Sequence, residues 1–278
     1  MPTIHPNTRF AFCGNRGFVF NTMQNAGLNI SSVAAVSGSY FSRELERKEI
    51  SHTAISSRTE FLEWIRNIDF DVFVANGCPY RVPVAEFDSR HLLVNVHPSA
   101  LPDLRGADPV PGALLYRRDS GATCHLMDAD FDTGPIISQV TIPYTDDLDA
   151  PLLYQLSFLA EQEAFLMALE RSFVPLRTQK NTADTIYYTK RPEDQEIDLD
   201  ATTEQFLSCI RAFANRSQGA VMHHGTLAFR VFGASRLFNP YLLSKQDDFR
   251  ENEVVFNYES HLVIYKQQGF KGIQMVCR

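Results

Sequence analysis

The chain reads as an α/β protein: a mostly parallel sheet wrapped by helices, followed by a smaller β-rich C-terminal domain. Three observations predict this. Apolar strand-like segments alternate with amphipathic helix-like segments through the first half, the pattern of a parallel sheet with helical crossovers. A polar, aperiodic stretch from Val174 to Asp184 then breaks the pattern, and beyond it short apolar runs are separated by Gly, Asn and Ser turns. The composition, with 278 residues, 44% hydrophobic and 21% charged, suits a packed domain of typical size with a smaller companion.

Taken in order, "RFAFCG" (9–14) is a short buried strand and "GFVFNTMQNAG" (17–27) a helix stopped by Gly27. "NISSVAAVSG" (29–38) is a second strand, and "SGSYFSRELERKEISH" (37–52) reads as a loop of mixed charge. Helical spacing of Phe61, Leu62, Ile65 and Ile68, with Ser57 as N-cap, predicts a helix over 57–68. "FDVFVANG" (70–77) and "HLLVNVH" (91–97) supply two more strands, "PVPGALLYRR" (109–118) a short helix, and 122–128 and 135–144 two strands joined across "DADFDTG". The run 151–173 carries a dense apolar face and is read as a helix covering the sheet. After the linker come a helix over 201–214 and strands within 219–237 and 252–277, a small barrel or meander. His223 and His224 are read as surface residues at a turn.

A net charge of -7 argues against a surface built to neutralise a phosphate backbone, so no nucleic-acid partner is expected. The cysteines, Cys13, Cys78, Cys124, Cys209 and Cys277, are odd in number and widely spaced, which fits reduced thiols in the cytoplasm. The N-terminus lacks the layout of a signal peptide, and no stretch is long and apolar enough to span a membrane, so no membrane partner is expected.

In open α/β sheets a site tends to lie at the carboxyl ends of the strands, near the place where strand order reverses. "VNVHPSALPDLRGADP" (94–109) ends an apolar strand with Asn95 and His97, which at a spacing of two point to the same side. Asp132, in "DFDTG", follows a strand that can neighbour theirs. An amide donor can hold a developing oxyanion, an imidazole can donate to it or relay a proton, and a carboxylate can charge-stabilise the imidazole and accept a proton. No serine or cysteine elbow is present, so direct acyl transfer between two bound substrates is favoured over a covalent acyl-enzyme. Cys124 and His125 are neighbours on an alternating strand and face opposite sides, so no metal site is expected there. "GNRG" (14–17) lacks the spacing of a dinucleotide loop.

"NVHPSALPDLRGADP" followed by "ATCHLMDADFDTGPII" resembles the signature of the formyltransferases that use N10-formyltetrahydrofolate, whose branches act on methionyl-tRNA, glycinamide ribonucleotide or nucleotide-linked amino sugars. The matching residues are Asn95, His97, Ser99, Leu101, Pro102, Arg105, Gly106, Asp132 and Gly134; Pro98 and Ala100 depart from the usual Gly or Ala and Leu. The likeness covers most of 9–172, and "YYTKRPEDQEIDL" (187–199) more loosely resembles the start of the C-terminal domain in the tRNA and sugar branches.

The resemblance implies a Rossmann-like catalytic domain over 1–180, a β-rich domain over 181–278, and Asn95, His97 and Asp132 as catalytic residues. It further implies N10-formyltetrahydrofolate as co-substrate, its pterin lined by Cys78, Tyr80, Val82, Asp128 and Asp130, and an acceptor side with Ser99 and Arg105. Tyr187 and Tyr188 either pack the domain junction or stack on a nucleotide base. Lys and Arg are balanced by Asp and Glu beyond residue 181, which weakens a tRNA acceptor. The glycinamide ribonucleotide branch leaves 185–278 without a purpose, and a formyl-donor hydrolase resembles the family with an additional N-terminal regulatory domain. A UDP- or dTDP-linked amino-deoxysugar in surface-glycan (lipopolysaccharide) biosynthesis is therefore the expected acceptor. The sugar branch is often dimeric, which leaves a homodimer open. The alternatives are a methionyl-tRNA formyltransferase and a non-catalytic folate-binding module.

Overall fold

The computed structural model describes residues 4–215, 217–258, 262–267 and 273–277. The chain divides into two compact units: one comprises Met1–Pro109, Asp119–Pro143 and Leu156–Tyr188, the other Val110–Arg118, Tyr144–Gln155 and Thr189–Arg278.

The first unit is built on a seven-stranded sheet. Strands β1 (Arg9–Gly14), β2 (Asn29–Val36), β3 (Thr53–Ile55), β4 (Val72–Asn76) and β5 (Leu92–His97) are parallel, while β6 (Ser120–Leu126) and β7 (Ile136–Ile142) extend it antiparallel. The order is β3-β2-β1-β4-β5-β6-β7, so the chain reverses direction across the sheet between β1 and β4. The mostly parallel α/β architecture is the one the alternation predicts.

Both faces are buried, which is why the strands read as continuous apolar runs. Phe10 and Phe12 point into one core with Val19, Phe20, Phe41, Leu45 and Phe165; Ala11 and Cys13 point into the other with Phe61, Trp64, Ile65 and Phe73. The first core is closed by α1 (Phe18–Asn25), α2 (Tyr40–Arg47) and α5 (Ala150–Glu170), the second by α3 (Arg58–Asn67); the short helix α4 (Pro109–Tyr116) lies between β5 and β6 in the chain. Gly27, at φ 68°, ends α1 in a conformation that side chains rarely adopt. The Ser57 side chain caps α3 by accepting from the Glu60 N–H at 3.2 Å, as expected.

The mixed-charge loop expected over 37–52 is instead mostly helix: α2 occupies 40–47, capped by Ser39, with β3 just beyond. Only Phe41, Ser42 and Leu45 of α2 are buried, so its apolar signal was too short to outweigh the charges around it. The expected linker is also more than a connection. Leu176 N–H donates to the Ile136 carbonyl at 2.8 Å and Ile136 N–H to the Arg177 carbonyl at 2.9 Å, so this segment lies along β7.

In the second unit β8 (Ala220–His224), β9 (Leu227–Arg236), β10 (Val254–Tyr258), β11 (Leu262–Tyr265) and β12 (Ile273–Cys277) form an antiparallel sheet in the order β10-β11-β12-β9-β8. Helix α6 (Thr203–Phe213) carries a Thr202–Gln205 capping box and buries Phe206, which stacks on Tyr265. His223 and His224 end β8, and the turn itself falls at Gly225, φ 59°. Cys13, Cys78, Cys124 and Cys209 are free thiols; the Cys277 side chain lies outside the described residues. No helix among the described residues is long and apolar enough to cross a membrane.

Candidate active site

The strand order reverses at the carboxyl ends of β1 and β4, and β5 ends beside them. Asn95 sits opposite Ala75 of β4 on one side and His125 of β6 on the other, because β5 pairs with both strands. The β6–β7 turn then returns Asp132 to Asn95: the Asn95 Nδ2 donates to Asp132 Oδ1 at 3.1 Å. Asp132 Oδ2 accepts from the Gly106 N–H at 3.3 Å, and its Oδ1 lies 3.5 Å from His97 Nδ1. The three side chains singled out in the sequence therefore meet at one place.

His97 is buried, and its Nε2 stands 3.1 Å from the Leu104 carbonyl. A carbonyl only accepts, so the imidazole proton resides on Nε2 and the Nδ1 lone pair faces Asp132 when the ring is neutral. Burial pushes the His97 pKa down, and this outweighs the upward pull of Asp132 and the Leu104 carbonyl. Burial works to raise the Asp132 carboxyl, but the His97 and His125 imidazoles, where protonated, together with the Gly106 N–H overcome it and hold the group well below the usual carboxylate range. A carboxylate beside a neutral imidazole is the result at pH 7.

One member of the site escaped the sequence reading. His125 is 1% exposed; its Nδ1 donates to the Leu126 carbonyl at 2.8 Å, which leaves Nε2 as an acceptor for Asn95 Nδ2 at 3.2 Å. The same Nε2 lies 3.6 Å from Asp132 Oδ1. The signal was present in the alternation: if Cys124 faces the core, His125 faces the other way, and antiparallel pairing sets it against Asn95. Among the described residues no group of three or more His, Cys, Asp or Glu side chains could hold a metal ion.

On the expected pterin side, Val82 is buried, and Cys78 and Tyr80 are half-buried and pack against the same core as Met127. Tyr80 stacks on Phe61 at 5.5 Å, and Cys78 Sγ lies 3.5 Å from Cys13 Sγ. Exposed Asp130 pairs with Arg81 at 3.5 Å, which ties the loop 77–82 to the 127–133 turn. The Asp128 carboxylate is engaged within its own turn by the Asp130 N–H and the Thr133 hydroxyl, so it shapes the turn. An apolar floor between two loops of main-chain donors and acceptors suits a flat heterocycle with a hydrogen-bonding edge.

The acceptor-side expectations fare unevenly. Ser99 is fully buried, and its hydroxyl donates to the Asp103 carbonyl at 2.8 Å; contrary to expectation it holds the loop and offers no atom to a substrate. Arg105 is 8% exposed, with Nη2 donating to Gln179 Oε1 at 2.7 Å and a buried Nε that has no hydrogen-bond partner. Tyr187 is 64% exposed and bridges to Arg105 through the backbone, whereas Tyr188 is buried and its N–H donates to the Arg105 carbonyl. Of these two tyrosines, Tyr187 is the one whose ring is exposed.

Gly134 explains itself sterically. A Cβ at this position would stand 1.9 Å from the Leu126 carbonyl oxygen, so a side chain must push the turn off β6. Gly134→Ala is expected to destabilise the chain by about 1–3 kcal/mol, as overpacking against backbone does, read as a lower denaturation midpoint. A midpoint equal to that of the unsubstituted chain would show that the turn is loosely held.

The formyl transferase family model matches residues 25–169, just over half of the chain. Methionyl-tRNA formyltransferase of Thermotoga neapolitana is 31% identical over 186 residues, covering 64% of this chain and 58% of that protein. The chain spans about half the length of the curated relatives it matches. Two solved structures share the fold nearly end to end. The sugar 3N-formyl transferase WlaRD, solved in the presence of dTDP and 5-N-formyl-THF, gives a TM-score of 0.74 at 17% identity over 99% of this chain and 98% of that one. The N-formyltransferase of Helicobacter canadensis, in complex with folinic acid and dTDP-3-aminofucose, gives 0.72 at 16% identity over 97% and 99%.

Proposed function

This chain belongs to the formyl transferase family, and on that premise we propose that it transfers the formyl group of N10-formyltetrahydrofolate to the amino group of a nucleotide-linked amino-deoxysugar. The donor supplies the formyl carbon. The products are an N-formyl sugar and tetrahydrofolate.

The convergence of Asn95, His97 and Asp132 supports the chemistry. Attack by an amine on a formyl carbon places negative charge on the formyl oxygen and leaves the amine with a proton to lose. Asp132 Oδ1 and His125 Nε2 lie 3.1 and 3.2 Å from Asn95 Nδ2 and 3.6 Å from each other, so they subtend an acute angle at the nitrogen. A single N–H can serve both, which leaves the second for the oxyanion. His97 Nδ1 takes the amine proton, the imidazolium that forms is held between the Leu104 carbonyl and Asp132, and it gives the proton to N10 of the donor as the formyl C–N10 bond breaks. Of the two roles open to the imidazole from sequence, donating to the oxyanion or relaying a proton, the Nε2–Leu104 contact favours the relay.

The single observation that carries the acceptor reading is coverage. Two sugar N-formyltransferases of known structure superpose on this chain over almost the whole of both molecules, its C-terminal sheet included. The net charge of -7 points the same way. The second reading, a methionyl-tRNA acceptor, is favoured by the 31% identity of that relative.

The test is a mass-spectrometric acceptor screen with N10-formyltetrahydrofolate, a panel of UDP- and dTDP-linked 3-amino and 4-amino deoxysugars, and charged initiator tRNA. A formylated sugar with untouched tRNA is expected. Formylated tRNA alone moves the reading to the second acceptor, and tight folate binding without transfer to any amine leaves a binding module.

A further inference from the structure

We propose that Gln179 is a positioning residue, a clamp from the 174–184 segment that holds the Asp132 backbone, and through it the carboxylate, in register with Asn95 and His97. This rests on the assignment of those three residues to catalysis.

Asp132 adopts φ 57°, the left-handed region that side-chain-bearing residues seldom occupy unless the surroundings impose it. Its carboxylate contacts alone do not fix the peptide that follows. The Gln179 carboxamide does: Nε2 donates to the Asp132 carbonyl at 2.9 Å and to the Gly134 carbonyl at 2.7 Å, bridging the turn on both sides of Thr133. Its Oε1 accepts from Arg105 Nη2 at 2.7 Å, joining the turn to the loop after β5. Gln179 is itself half-buried among exposed neighbours, and it is placed by the bonds that lash Leu176 and Arg177 to Ile136. A neutral amide is the one side-chain head that can donate twice to carbonyls and still accept from a guanidinium.

Two substitutions separate the possible roles. Gln179→Glu keeps an acceptor for Arg105 and loses both donors to the turn, whereas Gln179→Leu loses everything at nearly constant volume. A displacement of an ångström at a reacting group commonly costs about a hundredfold in rate. Both variants should therefore lower kcat by roughly tenfold to a hundredfold, with the KM for N10-formyltetrahydrofolate within about twofold of the parent.

The decisive comparison is Gln179→Leu in an Asp132→Asn background, by single-turnover formyl transfer to the amine that the parent chain formylates, starting with dTDP-3-aminofucose. Residues acting through one another are not additive. The Gln179 substitution should cost less than about twofold once Asp132 is gone. Equal losses in the two backgrounds, or full parental activity in Gln179→Glu, overturn the proposal. Asn95→Ala runs alongside: full activity there overturns the site assignment itself, an outcome separate from failure of the clamp. Thermal midpoints accompany each variant, and Gln179→Glu carries the double-mutant comparison if Gln179→Leu does not fold.

Discussion

Asp132→Asn is expected to lower kcat by about a thousandfold, the middle of the range for removing a group that manages proton transfer and charge together. The buried carboxylate accepts from Asn95 Nδ2 and the Gly106 N–H and faces His97 Nδ1. An amide in its place can satisfy one of those donors but turns its own NH2 toward the other, and it brings no charge to balance an imidazolium. Single-turnover kinetics should show the loss in the chemical step, with folate affinity nearly unchanged. A variant within about tenfold of the parent would remove Asp132 from the mechanism.

The same substitution has a thermodynamic signature. The folded-state pKa of Asp132 is depressed, so the ionised form contributes stability that is present above the unfolded value of 3.8 and is lost as pH falls through the lower folded value. The parent should melt above Asp132→Asn at pH 7, and the gap should close as the pH is brought down from about 4. A gap independent of pH would mean that packing, and not charge, separates the two chains.

Which parts of this site were legible in the sequence follows from the range of the interactions involved. Asn95 and His97 are two apart on one strand, and the period of a strand alone aims them together. Asp132 is distant in sequence but lies in the turn after the neighbouring strand, so one correct pairing recovers it. His125 required both the pairing and its register, and a buried histidine beside a cysteine gives no pattern of its own. Gln179 depends on a segment with neither period nor regular structure lying along β7, which no local rule supplies. The Ser99 expectation failed for the opposite reason: its place in a motif is explained by the loop it closes through the Asp103 carbonyl. Helix α2 shows the same limit in the fold, since two buried apolar residues in an eight-residue helix are too few for periodicity to register.

The acid limb of kcat is expected below pH 6.5, the ordinary histidine value, because the working base is a His97 whose pKa is lowered. Burial disfavours the imidazolium; His125 and Arg16 act in the same direction, and Asp132 and the Leu104 carbonyl oppose them without prevailing. The ring is therefore neutral, with its Nδ1 lone pair available, across the physiological range. Activity falls only when the pH descends through that lowered value. Stability shares the sign: the unfolded chain takes up this proton first as pH drops below about 6.5, so protonation of His97 favours unfolding there. Asp132→Asn sharpens the test, since the carboxylate gives the largest upward pull on the His97 pKa. Removing it should move the acid limb to still lower pH while kcat falls. A limb above 6.5 in the parent would mean that His97 works as the imidazolium, donating to the oxyanion as the sequence first suggested. A limb that moves upward in Asp132→Asn would assign the proton acceptor to a group other than His97.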